Sequence, residues 1–203
     1  MPLDLRALLD PAHTALVTQE CQRGVIGAES LLPELAAAAR ETVIPNGARL
    51  VQAARAAGVP VVHCVAGRRP DDRGSNSNAR VFMAMRKMPL VLGSPLTEVV
   101  PELGPEESDF VLSRIHGVGP MAGTDLDPIL RNLGVATVVA LGVSVNVGLT
   151  SLVLDAVNAG YQVVVPRDAV AGVPASYAED VLTHTLSLLA TIVPTEEIVG
   201  AWS

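Results

Sequence analysis

Apolar residues in this chain fall in two patterns that alternate along it: compact β-branched runs, and stripes spaced by three or four residues. Val135 to Leu141 is a run with no hydrophobic-polar alternation, the pattern of a strand buried on both faces. Gly142 breaks it, and from Leu149 the apolar positions are 149, 152, 153, 156 and 157, the stripe of a helix lying on a sheet. Gly160 stops that helix as a C-terminal glycine does, and Tyr161 to Val165 is a second run. Strand, helix and strand form a βαβ unit, which requires parallel strands joined by a right-handed crossover.

The rest of the chain repeats the theme. His13 to Glu20 is predicted as the first strand, closing on the polar run Thr18, Gln19, Glu20. Residues 21–30 form a glycine-containing loop, and residues 31–57 a helix interrupted at Pro45, where a backbone donor is lost. Val59 to Val65 is the second strand, and Phe110 to Ser113, closed by Arg114, the third. Between them, residues 66–94 show no period until about Ala79, and a loop that long is usually functional or mobile. A helix runs from about Thr124 or Asp125 to Asn132, the stripe from Ala178 to Leu189 marks a last helix, and Thr191 to Val193 a short last strand. Alternating strands and helices predict an α/β fold, a doubly wound, Rossmann-like parallel sheet with helices on both faces. One domain over residues 1–203 is expected, since about 100 to 200 residues suit a single core.

Composition narrows the partners. Hydrophobic residues make up 49% and the mean hydropathy is +0.40, yet no apolar run approaches the ~18 residues of a membrane span. The Ala and Val surplus fits buried elements and apolar surface kept for a homo-oligomer interface. A net charge of -7 argues against nucleic acid, which needs basic clusters. MPLDLRALLD lacks the basic start and apolar core of a leader, so a cytoplasmic location is expected. Cys21 and Cys64 form no CxxC, so neither a disulfide framework nor a zinc site is expected, and no metal or other cofactor is called for.

Three chemically odd features lie at carboxyl ends of predicted strands: Glu20 after the first, Arg114 after the third, and the turn Gly142 to Gly148 after the fourth. Ligands of open parallel sheets bind at that edge. An acid, a guanidinium and backbone amides at a helix start would converge there on a small-molecule substrate.

These residues resemble the isochorismatase-like, or cysteine hydrolase, superfamily. TALVTQECQRG looks like its first-strand motif, with an acidic residue at Glu20 and a glutamine at Gln22. GSPLTEVVPELGPEESDFVLSR is similar to the segment leading to its catalytic lysine, with Arg114 in the lysine's place. GTDLDPILRNLGVATVVALGVSVNVGLTSLVLDAVNAGYQVVVPRDAVAG matches its most characteristic stretch, and the likeness covers about residues 13–195. The family's amidohydrolases use an Asp, Lys and Cys triad, and those places hold Glu20, Arg114 and Gly148. With no thiolate at 148 there is no nucleophile for an acyl-enzyme.

The isochorismatases proper also have glycine there and cleave a vinyl ether without covalent catalysis. That branch implies a hydrolase acting on a small anionic or carbonyl-bearing metabolite, with Glu20 as general acid and Arg114 gripping a substrate carboxylate through both fork nitrogens. The family also implies a non-proline cis peptide at Val143–Ser144, with the Ser144 and Gly148 amides turned toward a substrate oxygen. Gln22, His116, Ser144 and Asn146 are the expected substrate contacts. The alternative is a catalytically silent member that binds a ligand or a protein partner, since all three triad places are altered.

Rival constellations are weaker. Ser144, Asp168 and His184 follow the order of an α/β-hydrolase triad, but Asn146 replaces the last glycine of G-x-S-x-G and His184 falls inside a helix stripe. Gly117, Gly119 and Gly123 miss the dinucleotide spacing, and no acidic residue closes the next strand. His63 with Asp71 or Asp72 imitates metal ligands without a second histidine nearby. Cys21, next to Glu20 on an extended segment, is expected to face away from the crevice.

Overall fold

The computed structural model describes residues 4–203, so the first three residues of the MPLDLRALLD segment lie outside the described residues. A helical turn, α1 (Leu5–Leu8), precedes β1 (Thr14–Gln19), after which come α2 (Arg23–Ile26), α3 (Pro33–Glu41) and α4 (Val43–Ala57). Next are β2 (Val61–Ala66), α5 (Arg80–Met85), β3 (Phe110–Arg114), α6 (Leu126–Asn132) and β4 (Thr137–Val143). The chain closes with α7 (Thr150–Asn158), β5 (Gln162–Pro166), β6 (Val170–Ala171), α8 (Ala175–His184), β7 (Thr191–Val193) and α9 (Thr195–Ala201).

Every strand pairing is parallel, in the order β3-β2-β1-β4-β5-β7, with β6 added beside the end of β4. This is the doubly wound sheet that the alternating pattern predicts. Along β1, Leu16 points into one core with Leu50 of α4 and Ile198 of α9, while Ala15 and Val17 point into the other with Leu130 of α6 and Leu152 of α7. A strand flanked by helices on both sides has no polar face, which is why β4 reads as an unbroken run and β1 carries Ala15, Leu16 and Val17 without alternation. Each Leu so buried contributes roughly 1.5 to 3 kcal/mol. No helix is long and apolar enough to cross a membrane among the described residues.

Four expectations are corrected. The long helix breaks at Thr42, not at Pro45; Pro45 is the third residue of α4, where its missing N–H would have had no helical partner anyway. The fourth strand runs two residues further than its apolar run, so Gly142 lies inside it at φ 111°, paired with Gln19 on one side and Val170 on the other. A Cβ there would stand 2.3 Å from the Gln19 carbonyl oxygen, so this close approach of two strands requires glycine. The loop at 21–30 contains α2, and the last predicted helix stops at His184, followed by a 3₁₀ turn.

Candidate active site

The carboxyl ends of β1, β3 and β4 meet at one sheet edge. Glu20, the first residue after β1, has φ 52°, a left-handed backbone that costs a non-glycine residue on the order of 1 to 3 kcal/mol. Its amide donates to the Cys64 carbonyl at 2.9 Å, which fixes the turn. The turn delivers the carboxylate into a cavity of about 270 Å³, lined also by Arg114, Ser144 and Gly148. The remaining wall is mostly apolar, with Val25, Leu35, Met85 and Leu90.

Arg114 arrives from the end of β3 and is 5% exposed. Its Nη2 donates to Glu20 Oε1 and, at 3.1 Å, to the Val118 carbonyl. Gln19 Nε2 donates to the same Oε1 at 3.0 Å. Oε2 therefore remains without a partner among the described residues. The Nε and Nη1 of Arg114 are buried and unpartnered. Both two-nitrogen edges of a guanidinium include Nη2. Since Nη2 is spent on Glu20 and Val118, the expected two-pronged grip on a substrate carboxylate is not available while this ion pair stands.

Gln19 is the residue that the sequence pattern passed over. It is fully buried on β1, and its Oε1 has no partner. A Cβ on Gly148 would lie 2.8 Å from Gln19 Nε2, so the Gln19 amide occupies the space beside residue 148. A long polar side chain at the end of a strand flanked by apolar core on both faces was the available signal.

The other expected substrate contacts separate. Ser144 follows a cis Val143–Ser144 peptide and lines the cavity. Gln22 does not reach it: the side chain is fully buried, Nε2 donates to the Ala66 carbonyl at 2.8 Å and Oε1 accepts from the Ala66 amide at 2.7 Å. Both its polar groups brace the end of β2. Asn146 turns away as well, donating through Nδ2 to the Val173 carbonyl at 2.7 Å. His116 packs its ring over Gly123 and lines neighbouring hollows instead of this one.

The rival constellations do not assemble. Asp168 Oδ1 accepts from the amide and hydroxyl of Thr195, both at 2.7 Å, and His184 is exposed at the end of α8. His63 is fully buried; its Nδ1 lies 2.9 Å from Thr18 Oγ1 and its Nε2 3.5 Å from Asp109, whereas Asp71 and Asp72 pair with Arg69 and Arg68. Burial pushes the His63 pKa down, favouring the neutral ring despite Asp109. Cys21 and Cys64 are buried, and burial pushes both thiols up, Cys64 to about 12, so neither is a thiolate at neutral pH. Cys21 faces the core, though through the left-handed turn at Glu20 and not through simple strand alternation.

A parallel sheet with an acid, a guanidinium and a glycine turn at its carboxyl edge defines an isochorismatase-like α/β hydrolase fold. Residues 14–197 match the isochorismatase domain, and the chain belongs to the isochorismatase family of hydrolases. It is 28% identical over 201 residues to the uncharacterized isochorismatase family protein YecD of Escherichia coli O157:H7, covering 95% of this chain and 98% of YecD. It is 33% identical over 178 residues to the ureidoacrylate amidohydrolase RutB of Methylobacterium radiotolerans, covering 79% of this chain and 68% of RutB. A cysteine hydrolase structure from Pseudomonas syringae pv. phaseolicola 1448A superposes with a TM-score of 0.83 at 24% identity, over 95% of this chain and 93% of that one.

Proposed function

We propose that this protein hydrolyses a small anionic or carbonyl-bearing metabolite without a covalent intermediate, with Glu20 moving the proton. The observation that carries this reading is the Glu20–Arg114 pair in an apolar-walled cavity opposite Gly148. Arg114 and Gln19 hold Oε1, so the carboxylate is fixed while Oε2 stays available. In this reading Oε2 takes a proton from the water that adds to the substrate carbon and returns it, as general acid, to the oxygen or nitrogen whose bond to that carbon breaks. Ser144 and the backbone of Gly148 border the reacting group and polarise its oxygen. Arg114 counters the negative charge that develops. Nothing in this sequence of steps uses a thiol, which fits a site whose wall at 148 is glycine.

One observation favours a second reading, a family member that binds without turnover. Glu20 and Arg114 bond to each other and the Gln19 amide occupies the space beside Gly148, so Glu20 Oε1 and Arg114 Nη2 are already engaged. A screen of amides, ureas and enol ethers of small carboxylic acids, followed by both calorimetry and product analysis, separates the two. Turnover of any compound that binds is the expected result; binding throughout with no product identifies a silent binder.

The same reading has the protein working in the cytoplasm as a homo-oligomer. Exposed Val147 and Leu154, seven residues apart on the stretch ending in α7, supply apolar surface for a second copy. Light scattering at micromolar concentration is expected to give at least twice the 21.1 kDa chain mass, and a monomer would refute it.

A further inference from the structure

Arg114 lines two spaces. One is the 270 Å³ cavity beside Glu20; the other is a recess of about 40 Å³ that shares Met85, Leu90 and Gly117 with it. Space for a single water needs roughly 10 to 15 Å³, so the recess admits a compact group of a few atoms and no whole metabolite. Its wall is largely apolar, and the charged side chains that line it are Arg68, Arg86 and Arg114, with no carboxylate among them. Arg68 is already engaged, by Asp72 at 3.0 Å and by the Met88 carbonyl at 3.2 Å. Two buried side chains in the wall keep polar atoms without a partner. Arg114 is 95% buried in terms of its 5% exposure, and its Nη1 and Nε have no partner. Ser75 Oγ is also buried and unpartnered.

Leaving a buried donor unsatisfied costs about 1 to 3 kcal/mol, more for a charged group. Orphaned buried donors, one set of them on a guanidinium, are the arrangement that a bound anion would relieve. We infer that the recess is the anion subsite of this protein, taking a carboxylate-sized group on Arg114 Nη1 and Ser75 Oγ while the substrate's uncharged body lies in the larger apolar cavity. The anion is then bound on separate single donors, in keeping with Nη2 being spent on Glu20. Glu20 and the anion subsite share Arg114 but lie in different spaces, so the substrate straddles the guanidinium, its charged end in one and its reacting bond in the other. This assignment rests on the hydrolase reading for the word substrate, but not for the binding itself.

The test measures binding alone. Acetate, isobutyrate and benzoate are titrated into the whole protein by calorimetry, each against its primary amide. Each acid that binds is expected to do so about tenfold more tightly than its amide, the size of one charge-assisted hydrogen bond. Ser75→Ala is expected to lower acid affinity about threefold to tenfold and amide affinity by less, a charge-selective loss that general destabilisation would not produce. Equal affinity for acid and amide in all three pairs, or failure of all three acids to bind, overturns the subsite. Acid-selective binding with no turnover of any screened compound would leave the subsite standing and remove the hydrolase reading; turnover of substrates whose acid and amide forms bind equally would do the reverse.

Discussion

A Glu20→Gln variant is expected to lose turnover by about 10² to 10⁴-fold, the usual contribution of a positioned acid or base, with little change in KM. Glutamine keeps the shape and one carbonyl oxygen, so Arg114 and Gln19 still have an acceptor where Oε1 stands. What it removes is the second oxygen that can hold and release a proton. The ion pair is lost as well, and with Arg114 only 4% exposed at its side chain a residual stability cost is expected. The variant therefore has to be checked by thermal unfolding. A well-folded Glu20→Gln protein that retains full kcat would take Glu20 out of the chemistry, whereas loss of kcat together with loss of folding would be answered by Glu20→Asp, which keeps the charge but shortens the reach. The measurement is made on whichever compound the binding and turnover screen returns.

The sheet was legible because its central strands are buried on both faces and its helices on one. Those two conditions write themselves into sequence as unbroken runs and as stripes, and β1, β4, α7 and β5 all follow them. Where an element has too few residues for a period, nothing showed: β6 has two residues and α2 has four. Gly142 looked like the end of a strand because glycine usually interrupts one, and only the contact with the Gln19 carbonyl explains why it sits inside. In the candidate site, Glu20 and Arg114 stand out in the sequence because each is a charge that closes a strand's apolar stretch. Gln22 and Asn146 show the limit of that reasoning. Each is a polar residue near the right strand end, but which backbone groups compete for its polar atoms is decided by the packing of segments distant in sequence, such as Ala66 against Gln22 and Val173 against Asn146. Gln19 was overlooked for the opposite reason: it sits within a strand, where side-chain orientation and not residue type determines that it reaches Gly148.

That contact gives the chain a further expected behaviour: Gly148→Cys should not by itself yield a cysteine hydrolase. The new Cβ would stand 2.8 Å from Gln19 Nε2, with the Val143 carbonyl at 3.4 Å and the Val118 carbonyl at 3.5 Å, so the carbonyls can stay but the glutamine must move. Moving it breaks its bond to Glu20 and leaves a fully buried amide with neither end paired, since Oε1 has no partner to begin with. An unpaired buried amide costs about 1 to 3 kcal/mol and the added volume about as much again, so the single variant is expected to lose roughly 2 to 6 kcal/mol of stability. Gln19→Ala opens the space that the new side chain needs. The two substitutions should therefore be non-additive, the double variant being more stable than the sum of the singles by about 1 kcal/mol or more in chemical denaturation. Additivity within about 0.5 kcal/mol would show that Gln19 does not hold the space beside residue 148. Coupling of the expected sign would mean that glycine at 148 and glutamine at 19 depend on each other, and that a thiol can enter this site only after the strand beside it has changed first.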